Sequence, residues 1–233
     1  MHIGLIGGIG VAATVVYYQR LTAAVDHMGG KLDLTISHGD ILPLIRNNLA
    51  DDRQPQAEIF ARQIDRLRDA GCDCIALTSL GAHYCVSEMN ELSSLPVISG
   101  VAPLDEYFVS QGVKRVGLLG TRSVMTTRLF GQLKQTEAVA LDDEIDTLGQ
   151  SYQDIAVAGT CTDEQRVQLL DAGRRMIVNH NAQAIVLAGT DLNLAFDNQS
   201  PEYTVIDALD VHVSVLADLA TGRRNLDEVA MSK

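Results

Sequence analysis

Short apolar runs, separated by longer amphipathic stretches, set the rhythm of this chain. Residues 3–7, 34–37, 75–78, 97–99, 116–120, 185–188 and 205–206 form strand-like runs, most of them almost continuously apolar. A strand with one wet face would alternate, so unbroken runs predict strands buried on both faces of a parallel sheet. Helical spacing fills the intervals. One stretch runs from about residue 12 to 28. A second carries Ala57, Phe60, Ala61, Ile64 and Leu67, the stripe of a helix lying on a sheet. Pro55 falls in its first turn, where the missing N–H costs nothing. Thr162 and Gln165 fit a capping box that opens a helix to about residue 178. Asp210 opens a last helix through Val213, Leu216 and Leu219. Strands alternating with helices predict an α/β protein with mostly parallel sheets.

The pattern occurs twice. Gly4-Leu5-Ile6-Gly7 returns as Gly117-Leu118-Leu119-Gly120, an offset of 113 residues from 4 to 117. Ile75-Ala76-Leu77-Thr78-Ser79 returns as Ile185-Val186-Leu187-Ala188-Gly189, an offset of 110 from 75 to 185. Two pseudo-symmetric lobes are therefore expected, each a mostly parallel sheet flanked by helices, facing one another across a cleft. The first lobe is placed at 1–98 plus 208–233 and the second at 99–207, with residues 101–103 crossing between them. The polar tail from residue 222 is expected to fray. Ligands of such sheets sit outside the carboxyl ends of the strands, so the repeat locates the site before any chemistry is assigned.

Bulk properties narrow the partners. A net charge of −12 argues against nucleic acid or an anionic membrane. No apolar run approaches the roughly 18 residues of a membrane span. Met1 leads straight into a strand-like run, so no leader is expected and a cytoplasmic location is the working assumption. Cys72, Cys74, Cys85 and Cys161 lack the ligand spacing of a zinc site and read as free thiols, with no metal expected.

Candidate chemistry clusters after the strands. Gly7-Gly8-Ile9-Gly10-Val11-Ala12-Ala13-Thr14 follows the first strand and opens a helix. Free N–H groups there suit a carboxylate or phosphate, which makes Gly8, Gly10 and Thr14 binding candidates. Gly8-x-Gly10-x-x-Ala13 also satisfies the dinucleotide pattern, although no convincing acidic residue follows the second strand. A tight turn with no ligand is the plainer alternative. In the second half, Thr121-Arg122-Ser123 repeats this position, so Thr121 and Ser123 are candidates for a second acidic group or for ordinary N-capping. Thr78-Ser79-Leu80-Gly81-Ala82-His83 and its partner Ala188-Gly189-Thr190-Asp191-Leu192 close the set. The offset makes Ser79 and Gly189 equivalent positions. His83 is a candidate base or a hydrogen-bonded strand-end histidine.

In this order the motifs resemble the aspartate/glutamate racemase family, nearest its aspartate racemase branch. The likeness rests on the opening GLIGGIG-x-x-A-T, Asp52-Arg53 before a helix, Ala82-His83, Val116 to Thr121, Leu187 to Leu192, Ile206-Asp207 and Val211-His212. It implies two pseudo-symmetric α/β lobes, often dimeric, and cofactor-free proton transfer at Cα by two facing cysteines. Those cysteines fall here at Ser79 and Gly189, with Asp191 in place of the usual glutamate. Arg53 takes the position that grips the substrate side-chain carboxylate, and Val157 stands where the branch keeps a lysine. Leu80, Gly81 and Thr190 are carried over as binding positions.

A serine is a far weaker acid than a thiol and needs a neighbouring base; glycine supplies nothing. Losing one positioned acid/base group costs roughly 10²–10⁴ in rate. The expectation is thus a racemase-family protein holding a small carboxylate or amino acid between its lobes, with atypical proton transfer through Ser79, His83 or Asp191. A catalytically silent binding protein and, less favoured, a dinucleotide-dependent enzyme are the alternatives. No cofactor is expected, and a homodimer through a partly apolar helix such as residues 15–25 is compatible with the pattern.

Overall fold

A computed structural model of the chain describes residues 1–231. The first half forms strands β1 (His2–Gly7), β2 (Asp33–His38), β3 (Cys74–Leu77) and β4 (Val97–Ile98); the second forms β5 (Arg115–Gly120), β6 (Glu137–Val139), β7 (Ala184–Ala188) and β8 (Val205–Asp207). They make two four-stranded sheets, ordered β2-β1-β3-β4 and β6-β5-β7-β8. Every neighbouring pair is parallel. The repeat survives to the residue: Gly4 lies opposite Ile75 in one sheet, and Gly117 opposite Ile185 in the other.

The helices are α1 (Val11–His27), α2 (Ile41–Ala50), α3 (Arg53–Asp69), α4 (Val86–Leu92), α5 (Leu104–Ser110), α6 (Arg122–Thr126), α7 (Ile145–Ala158), α8 (Asp163–His180), α9 (Asn193–Phe196), α10 (Ala208–Ala220) and α11 (Leu226–Val229). Phe60 and Ile64 of α3 pack with Ile6 and Ile75 on one face of the first sheet. On its other face Ile3 and Leu5 meet Tyr17 of α1 and Leu209 and Leu216 of α10. In the second lobe Val116, Leu118 and Val186 are buried with Ile155 of α7 and Met176 of α8. Burial on both faces is the physical reason the central strands read as unbroken apolar runs.

Thr162 caps α8 and forms the expected box with Gln165. Elsewhere boundaries shift. The last long helix starts at Ala208, because Asp207 rather than Asp210 accepts the N–H of Leu209. The tail does not simply fray: Asn225 and Glu228 box the start of α11, and Met231 N–H donates to Val97 O at 3.0 Å. It thereby covers the open edge at β4; Ser232 and Lys233, the rest of that expected tail, lie outside the described residues. Among the described residues no helix is long and apolar enough to cross a membrane.

Candidate active site

The carboxyl ends of β1, β3, β5 and β7 converge. The turn Gly81–Cys85 after β3 leans on the residue after β5, where a Cβ added to Gly81 would lie 2.7 Å from Thr121 Cγ2. The turn Thr190–Leu192 after β7 leans the other way, on the loop after β1. Thr190 Oγ1 donates to Thr78 O at 3.0 Å, which ties together the two strand ends bearing Ser79 and Gly189. Thr190 is itself buried and spent on that seam.

Gly8 and Gly10 have φ of 79° and 112°, backbone that favours glycine. Gly8 N–H donates to Thr14 Oγ1 at 2.9 Å, and Thr14 Oγ1 donates to Gly10 O at 2.9 Å. Among the first-turn N–H groups of α1, that of Ala13 donates to Asp191 Oδ1 at 3.0 Å. The protein's own carboxylate thus occupies the anion seat that the helix start creates. Gly10 has room for no side chain, since a Cβ there would strike Asp191 Oδ2. Burial pushes the Asp191 carboxyl up to about 6, against the lowering effect of the Ala13 N–H and of Tyr152.

Gly189 is backbone only, but its space is filled. A Cβ built there would overlap the ring of Tyr152 from α7, 2.7 Å from Cζ. The Tyr152 hydroxyl donates to Asp191 Oδ2 at 3.4 Å, longer than a tight O–H···O bond. Desolvation and the Asp191 charge hold Tyr152 well above its usual range, so it stays protonated. An aromatic ring from a neighbouring helix has taken the volume of the missing side chain.

His83 is committed elsewhere. Gly100 N–H donates to its Nε2 at 2.9 Å, which makes Nδ1 the donor to Ser79 O at 3.0 Å. Burial lowers its pKa to about 4. The ring positions the backbone of Ser79 and does not reach its hydroxyl through either nitrogen. Arg53 is half exposed, paired with Asp51 at 2.8 Å, and does not line the cleft. Val157 is also exposed and off the cleft, whereas its neighbour Ala156 faces in. Leu80 is fully buried in the second-lobe core.

The cleft itself lies between α2, the start of α6 and α7. Its cavity of about 60 Å³ is lined by Ser79, Gly81, Thr121 and Tyr152 from the strand ends and α7, and by Asn48 and Arg122. Asn48 Nδ2 donates to Gly81 O and to Ser123 Oγ, each at 3.2 Å, and so stitches one lobe to the other. Thr121 Oγ1 accepts the N–H of Val124 and lies 3.1 Å from Ser123 Oγ. Arg122 Nε donates to Asp146 at 2.5 Å. Among the described residues no group of three His, Cys, Asp or Glu is arranged to hold a metal ion.

Residues 6–216 match the sequence profile of the Asp/Glu/hydantoin racemase family. The chain belongs to that family. Among solved structures, a putative Asp/Glu racemase from Yersinia pestis is 22% identical, with a TM-score of 0.78 over 94% of this chain and 99% of that one. An aspartate racemase homologue from Pyrococcus horikoshii is 21% identical, with a TM-score of 0.74 over 94% and 98%. A glutamate racemase from Francisella tularensis in complex with D-glutamate is 12% identical, with a TM-score of 0.66 over 100% and 84%. At these identities the likeness speaks for the two-lobed fold.

Within that family fold, the cleft residues that the sequence does not single out include Tyr152, Asn48 and Arg122. Tyr152 belongs to α7, a helix the apolar pattern does not announce, and only folding brings it beside Gly189. Asn48 sits on α2, similarly unannounced. Arg122 was visible between two candidates, Thr121 and Ser123, and its charge was the signal to follow.

Proposed function

We propose that this family member binds a small carboxylate between its lobes and moves a proton at the carbon beside that carboxylate, without a cofactor. Tyr152 and Asp191 form the proton relay on one wall, and Ser79 is a hydrogen-bonding group on the other. The observation that carries this reading is Tyr152, which fills the volume of a side chain at 189 and places its hydroxyl beside the buried Asp191. As the Tyr152 oxygen takes a proton from the ligand, its own proton passes to the Asp191 carboxylate. The reverse transfer returns the proton to carbon. A buried carboxylate with a pKa near 6 is a stronger base than a solvated one. Ser79 has no comparable partner, because the His83 nitrogens are bonded to backbone groups.

The relay predicts exchange on one face. In D₂O, an accepted carboxylate should incorporate deuterium beside its carboxyl group with little inversion, at a rate rising through about pH 6 as Asp191 ionises. Y152F and D191N should each lower that rate by roughly 10²–10⁴. Binding without any exchange would instead establish the silent binding protein. A dinucleotide is disfavoured because the Asp191 carboxylate already sits against Gly10 and the start of α1, where a pyrophosphate would meet like charge. Four free cysteines suit a reducing compartment and support a cytoplasmic location. The charge of −12 supports a small-molecule rather than nucleic-acid partner. A homodimer belongs to the same proposal, supported by the exposed Val11, Val15 and Tyr18 on one stripe of α1; the mass in solution checks it.

A further inference from the structure

The make-up of the cleft says more about its ligand than the strand ends do. One wall is aliphatic: Ile41, Leu44, Ile45 and Leu49 project from α2, with Ile9 beside them and Ala156 opposite. The polar groups gather elsewhere, at Ser79, Thr121, Asn48 and Arg122, with Gln150 and Gln153 on α7. Arg122 is the single charged side chain in this lining, and no acidic side chain lines it. Asp146 engages Arg122 through Nε, and a guanidinium carries further donors that can grip a second carboxylate.

These features conflict with a dicarboxylic amino acid. Such a ligand would press its second carboxylate against an aliphatic wall, where an unpaired charge is strongly disfavoured. Its ammonium group would find no lining carboxylate. Arg53, the cation expected for the second carboxylate, lies off the cleft and is paired with Asp51. A cavity of about 60 Å³ leaves space for a short branched group and not for a bulky one.

We infer that the preferred ligand is a monocarboxylate with a short branched aliphatic body and no α-ammonium group, its carboxylate on Arg122 and its body on the α2 wall. This rests on the proposed reading of the cleft as a carboxylate site and specifies what that site selects. The test is isothermal titration calorimetry on the full chain with 3-methylbutanoate, L-leucine, succinate and L-aspartate. The first should bind at least tenfold more tightly than each of the others. R122Q should weaken it at least tenfold with an unchanged circular dichroism spectrum. I45R, which adds a cation to the half-buried wall, should shift the preference at least tenfold toward succinate.

Tightest binding of succinate, aspartate or leucine to the wild type would overturn the inference and leave the carboxylate-cleft reading intact. Absence of binding by all four would overturn both, whereas 3-methylbutanoate affinity unaltered in R122Q would overturn the inference alone.

Discussion

At the scale of single residues, Gly189 and Tyr152 form a steric couple. G189C alone would drive a side chain into the Tyr152 ring, and overpacking of this kind costs about 1–3 kcal/mol. We expect G189C to unfold at lower urea than wild type, and G189C/Y152A to recover part of that loss. Asp191 makes a second residue-level prediction. Its folded pKa near 6 exceeds the unfolded value near 3.9. The native state therefore keeps its proton longer, and this group withdraws stability as pH rises from about 4 to about 6, with no further loss above that window. D191N should be more stable than wild type at pH 8, by up to about 3 kcal/mol, and nearly equal at pH 4. Urea midpoints at the two pH values decide it. The seam was legible in the sequence here, since the repeat offset marks 79 and 189 as equivalents. The occupant of the missing side chain's volume was not legible, because it comes from a distant helix and packing has no local signature.

Between elements, Arg20 of α1 is the joint to the second half. Its Nη1 donates to Asp207 at 2.6 Å and to Asp210 at 2.8 Å, and its Nη2 to Asp197 at 3.0 Å. Asp207 is largely buried, and desolvation holds it near 6 despite the guanidinium. R20A would leave a buried carboxylate without its cation, at a cost of about 3–5 kcal/mol. The loss should be larger at pH 8 than at pH 5, where Asp207 can protonate; thermal unfolding at both values reads it. The strands and the long helices α1, α3, α8 and α10 were legible because each buries a regular stripe. The three-residue β6 at a sheet edge was not, nor was α2. Pro43, Asn47 and Asn48 interrupt the helical signal of α2, yet Pro43 sits in its first turn, where it does no harm. The lobe division near residues 98 and 208 remains our proposal, and α10 bears on it: Leu209, Val213 and Leu216 pack into the first-lobe core while Ala208 and Val211 join the second.

For the molecule as a whole, two opposed titrations shape acid behaviour. Burial lowers His83 to about 4 and His212 to about 3. The unfolded chain protonates both near 6.5, so these groups withdraw stability as pH falls below that value. Asp191 and Asp207, both raised to about 6, act in the opposite sense over nearly the same interval. The wild type should therefore show a shallow dependence of its urea midpoint between about pH 4 and 6. D191N, which removes one of the opposing pair, should lose stability toward acid visibly more steeply than wild type.

The matching strand orders point to a last consequence. A catalyst that serves mirror-image molecules evenly needs comparable equipment on its two sides. Here the turn after β3 offers a bare Gly81 to Thr121, while its counterpart after β7 sends Asp191 into the loop of Gly10. The backbone kept its twofold plan while the chemistry on it became lopsided. Under the proposed relay, proton exchange is confined to one face of the ligand, so stereochemistry is where this chain should part from a catalyst with matched bases on both sides.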